Sequence, residues 1–158
     1  MPADGQHHLS GADAALMDAA IAQAEKSFAE RGIPVGSVLS RGPALIAAGH
    51  NRRVQNGDPI AHGEMDCLRS AGRMKTYRDL TLFTTLTPCM MCTGTIIQFG
   101  IPRVIIGENR TFAGNEDLLR SRGIEVLVID DPRCISLMSR FQREYPDVWN
   151  EDIGELSV

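Results

Sequence analysis

The sequence predicts an α/β domain, a three-layer α/β/α sandwich around a five-stranded mixed sheet. Three features carry that expectation. Apolar residues recur at helical spacing from the start of the chain, as with Leu16, Ala20, Ile21, Ala24 and Phe28. Two early strand-like runs flank Arg41-Gly42-Pro43, a hairpin signal and hence an antiparallel pair. From Leu80 onward strand-like and helix-like runs alternate, the pattern of crossover units.

In chain order, residues 11–31 read as one amphipathic helix stopped by Gly32, with Ser10 and Asp13 resembling a capping box. Residues 35–40 and 45–49 are the hairpin strands. The polar stretch 51–59 reads as a loop, and a helical pattern follows from near Ala61 to Gly72. Residues 80–85 form a strand. Pro88 then sits where proline is favoured, in the first turn of a helix running through Phe99 to Gly100. Residues 103–107 are strand-like, and 117–122 are a short helix stopped by Gly123. Residues 125–129 are nearly all aliphatic, which suits a strand covered on both faces. Residues 132–145 make the next helix, and 148–153 a final turn or two. No linker interrupts this order, so residues 1–158 read as a single domain whose polar start, 1–11, is flexible.

Composition narrows the function classes. Hydrophobic content of 43% and charged content of 23% are those of an ordinary globular chain. No apolar run approaches the ~20 residues of a membrane helix. The start lacks a basic segment followed by an apolar core, so no secretory signal is read there. Net charge is −4, the sixteen Lys and Arg are scattered, and Arg52-Arg53 is the one basic pair, which disfavours a polymeric nucleic acid. Of the four cysteines, Cys89 and Cys92 have a metal-binding spacing; a reducing, cytoplasmic setting is expected.

The chemistry concentrates in His62-Gly63-Glu64 and Pro88-Cys89-Met90-Met91-Cys92. One imidazole and two thiolates, from His62, Cys89 and Cys92, fill three positions of a tetrahedral zinc and leave the fourth for water. Cys89 and Cys92 share a helix face, and helix N-termini favour thiolates. Glu64 points away from His62, so its carboxylate stands beside the ion without ligating it and can act as a base. A lone C-x-x-C is often a structural half-site or a redox pair, and a lone His is usually a core or surface residue. It is the two motifs together, each at a helix start, that point to catalysis. His7, His8 and His50 lack ligand partners at useful spacing. Cys67 and Cys134 read as small buried hydrophobes, and Met90 and Met91 as divided between core and pocket wall.

H-x-E followed by P-C-x-x-C is the signature of zinc nucleobase deaminases, and these residues resemble the cytidine/deoxycytidylate deaminase superfamily. Further segments are similar to fungal-type cytosine deaminase: Gly49-His50-Asn51, Thr84-Thr85-Leu86-Thr87-Pro88-Cys89, Met91-Cys92-Thr93-Gly94, Gly100-Ile101-Pro102-Arg103, Gly107-Glu108-Asn109 and the ending from Trp149 to Glu155. The resemblance implies a cytidine deaminase-like fold, one zinc per chain and hydrolysis of free cytosine to uracil and ammonia in pyrimidine salvage. It also implies roles for single residues. Asn51 contacts the pyrimidine edge, and the Gly63 N–H holds the 2-carbonyl. Phe112 and Trp149 wall the ring, while Asp152 lies near the exocyclic amine. Residues 146–158 form a lid, and two chains form a homodimer. The chain departs from that pattern at Val54, at Met90 and in Asp58-Pro59-Ile60-Ala61.

Other functions share parts of this pattern. A deaminase of another small amino-heterocycle (guanine, creatinine or a modified base) needs only a reshaped wall. A tRNA adenosine deaminase calls for a basic surface and an open pocket. A non-catalytic structural zinc protein calls for a fourth ligand and a dispensable Glu64.

Overall fold

The computed structural model describes residues 9–155. His7 and His8 lie outside the described residues, as do residues 1–8 of the start expected to be flexible and residues 156–158 of the lid segment.

Helix α1 (Gly11–Ala29) begins as its cap predicts: Ser10 Oγ accepts the Asp13 N–H at 3.2 Å. Leu16, Met17, Ala20, Ile21 and Ala24 form its buried stripe. The chain leaves the helix through Arg31, in the left-handed region at φ 64°, rather than through Gly32. Gly32 answers a different need, because a Cβ there would lie 2.1 Å from Gln55 Nε2.

Strands β1 (Gly36–Arg41) and β2 (Ala44–His50) form the antiparallel hairpin, with a bulge between Leu39 and Ser40. The stretch expected to be a loop contains a short helix, α2 (Arg53–Asn56), ended by left-handed Gly57. Four residues show no periodicity, which is why the sequence hid it. There follow α3 (Gly63–Ala71), β3 (Thr81–Thr84), α4 (Met90–Phe99), β4 (Arg103–Ile106), α5 (Glu116–Ser121), β5 (Glu125–Val128), α6 (Pro132–Glu144) and α7 (Pro146–Asp152).

The sheet order is β2-β1-β3-β4-β5. β1 is antiparallel to β2 and β3, while β3, β4 and β5 run parallel. The register makes two apolar rows. Val38, Phe83, Ile105 and Leu127 are aligned on one face and pack with α1 and with Cys134 of α6. Leu39, Leu82, Val104 and Val126 are aligned on the other and pack with Cys67 of α3, Ile96 of α4 and Leu119 of α5. Those two rows make the three expected layers. One detail differs: β5 is the sheet edge, and its aliphatics are only half-buried. A third cluster, with Ile33, Val35, Leu86, Phe141 and Trp149, packs α7 on α6, and Asp152 at the end of α7 reaches His62 at the start of α3.

Candidate active site

Two helices meet at the site by the same device. His62 is the N-cap of α3 and Cys89 the N-cap of α4, both with extended backbones and neither side chain spent on capping. Pro88 therefore precedes the cap instead of lying in the first turn. Cys92 follows within the first turn of α4. Cys89 Sγ lies 3.4 Å and Cys92 Sγ 3.7 Å from His62 Nδ1. For a tetrahedral zinc with ordinary bond lengths the N···S edge is about 3.6 Å. The three donors lie within 4.8 Å of one another and are the one such group among the described residues. The donor set therefore fits one zinc ion.

The outer nitrogen of His62 is committed as well. Nε2 is 2.9 Å from Asp152 Oδ1, which directs Nδ1 to the metal position. Burial opposes the charged imidazolium. The hydrogen bonds to Asp152 and Cys89, with the charges of Asp152 and Glu64, outweigh it and lift the pKa to about 10. The Cys92 hydrogen bond lowers the Cys89 thiol to about 4 against burial, with His62 assisting. Cys92 moves the other way, raised by Cys89, by burial and by Glu64.

Glu64, on the first turn of α3, is buried and stands outside the donor group. Thr84 Oγ1, at the end of β3, is 2.6 Å from Glu64 Oε1. Burial raises the carboxyl pKa although the His62 charge opposes it, so the group holds a proton more readily than a solvated glutamate. The sequence reading missed Thr84; a run of polar residues at the buried end of a strand (Thr84, Thr85 and Thr87) was the available signal.

His62 and Glu64 open onto a cavity of about 430 Å³, also lined by Asn51, Phe112, Trp149 and Asp152. Phe112 and Trp149 meet edge to face at 5.7 Å. Asn51 Oδ1 accepts the Arg53 N–H at 2.9 Å, which leaves the amide Nδ2 as the donor on offer. Gly63 is buried under Val35, whose carbonyl oxygen would be 2.9 Å from a Cβ, and its N–H is an open helix-start donor. Met90 and Met91 both line the cavity and neither is core; Met90 is 61% exposed, which corrects the expected division. Cys67 and Cys134 are buried hydrophobes, and His50 is buried between Gln23 and Glu30, away from the metal donors.

Known proteins match this arrangement. A cytosine deaminase from Candida albicans is 50% identical over 142 residues, covering 88% of this chain and 95% of that protein. A tRNA-specific adenosine deaminase from Streptococcus pyogenes is 39% identical over 107 residues, covering 65% of this chain and 67% of its own. The solved guanine deaminase from Nitrosomonas europaea shares the fold with a TM-score of 0.68 at 20% identity, over 89% of this chain and 88% of that one. Residues 10–108 match the cytidine and deoxycytidylate deaminase zinc-binding region. With its His, Cys and Cys donors in that region, the chain belongs to the zinc-binding cytidine and deoxycytidylate deaminase family.

Proposed function

We propose that this protein hydrolyses free cytosine to uracil and ammonia, with Glu64 as proton carrier and His62, Cys89 and Cys92 as zinc ligands. One observation carries the reading: a buried carboxylate beside the donor group, held by Thr84 and excluded from ligation. The choice of cytosine is supported by the Candida albicans relative, which is matched over almost its whole length.

Bound at this site, zinc supplies Lewis acidity and lowers the pKa of water toward about 7. The residues of the chain do the rest. Phe112 and Trp149 hold the ring and Asn51 Nδ2 takes its carbonyl, with the Gly63 N–H at the start of α3, beside the lining residues His62 and Glu64, as the second donor. Glu64 takes a proton from the attacking water and passes it to the ring nitrogen beside the attacked carbon. It then delivers the second water proton to the exocyclic amine, the C–N bond breaks and ammonia leaves. One water is consumed, and Glu64 ends as it began.

The surface argues against a nucleic-acid polymer. Arg52 is paired with Asp66, and Arg53 with Glu151 and Asp152, so the basic pair is neutralised from within. A lid role for the C-terminal segment is supported by Trp149, Asp152 and Ile153, which line the cavity. Among the described residues no helix is long and apolar enough to cross a membrane. A cytoplasmic setting is supported by Cys67 and Cys134, which are buried and unpaired, and by Cys89 and Cys92, which are committed to the metal site and not to a disulfide. A homodimer is supported by exposed Ile60, Met90 and Phe99.

The test offers zinc-loaded protein cytosine, cytidine, guanine and adenosine and measures ammonia. Release from cytosine alone is expected; release from guanine or adenosine without cytosine turnover would contradict the assignment.

A further inference from the structure

Arg53 ties the C-terminal helix to the rest of the site. Its N–H is fixed by Asn51 Oδ1 at the start of α2. Its side chain then crosses to the other end of the chain. Nε donates to Asp152 Oδ1 at 2.9 Å, and Nη1 donates to Glu151 Oε1 at 3.1 Å. That same Asp152 oxygen is 2.9 Å from His62 Nε2. Asn51, Arg53, Asp152 and His62 therefore form one continuous run of hydrogen bonds around the cavity.

The pair is sheltered, with side-chain exposures of 19% for Arg53 and 5% for Asp152. Salt screens such a pair weakly, and removing Arg53 leaves the buried Asp152 with His62 as its partner. A guanidinium also suits the position for its shape, since two N–H groups on one planar fork reach two neighbouring carboxylates. An ammonium is a point charge and cannot hold both in that geometry.

We propose that Arg53 is a positioning residue of this site: it latches α7 over the cavity and, through Asp152, steadies the His62 ring. The inference rests on the reading of this cavity as the substrate site and adds a residue that does not line it. Trp149, Asp152 and Ile153 of the C-terminal segment all line the cavity, so movement of α7 alters the wall that holds the substrate.

The chain's one tryptophan, Trp149, lies on α7, so its fluorescence reports on that helix alone. The experiment compares zinc-loaded, full-length wild type with Arg53→Met, which keeps the aliphatic stem and loses the fork. Acrylamide quenching of Trp149 is expected to rise about threefold in the variant. KM for cytosine should rise roughly tenfold with a smaller fall in kcat, at wild-type helicity and zinc content. Arg53→Lys, which keeps the charge without the fork, should fall between the two. Wild-type quenching in folded Arg53→Met would overturn the latch. If Arg53→Met does not fold, Arg53→Lys decides on the same reading: raised quenching supports the latch and wild-type quenching overturns it. Quenching needs no substrate, so inertness of the wild type toward cytosine would sink the base assignment while the latch is still decided.

Discussion

At the scale of residues, the site is built from donors whose protons compete with the metal. Before zinc binds, His62 is lifted to about 10 and Cys92 is raised, so both keep their protons at neutral pH, whereas Cys89, lowered to about 4, has none. Zinc loading should therefore release about two protons per chain. The sign follows: between the Cys89 and His62 values, affinity weakens as pH falls, by roughly 100-fold per unit. Zinc titration in weak buffers at several pH values measures both quantities, and a pH-independent affinity would contradict this account. The donor group and Glu64 beside it were legible in the sequence because the Cys89–Cys92 and His62–Glu64 spacings at helix starts are local facts. Thr84 and Arg53 were not. Their partners, Glu64 and Asp152, are 20 and 99 positions away, and only the folded sheet and α7 bring them together.

At the scale of elements, the site depends on how closely α1 lies on the sheet. A Cβ on Gly36 would lie 2.0 Å from the Ala20 carbonyl oxygen and 2.5 Å from the Ala24 nitrogen. Backbone cannot yield as a flexible side chain does. Gly36→Ala is expected to cost about 3 kcal/mol of stability, measured by urea unfolding. A loss below about 0.5 kcal/mol would show that helix and strand have room to part. Periodicity and stop signals placed most elements within two or three residues. They missed α2, which is too short to show a period, and overstated the burial of β5. A run of aliphatics records what a strand prefers to touch, but not whether a sixth strand exists to cover its far edge.

At the scale of the molecule, alternating strand and helix in the second half fixed a parallel block, and the early hairpin fixed the antiparallel one. Together they gave the mixed sheet and its three layers. What no local pattern reports is the outside surface. Ile60, Met90 and Phe99 stay exposed, with a groove between α3 and α4 lined by Met65, Leu68, Tyr77 and Phe99. Burying such a surface against a second copy is favourable. Sedimentation is expected to give twice the 17.3 kDa chain mass, and a monomer at micromolar concentration would remove the dimer.

The role of Glu64 as proton carrier is decided by zinc content and cytosine turnover in Glu64→Ala, measured together on one preparation. One zinc per chain is expected, as in the wild type, with turnover reduced about 10,000-fold, because the ligands remain and the proton carrier is gone. Turnover near the wild-type rate would contradict that role, and so would loss of the metal, which would make Glu64 part of the zinc site.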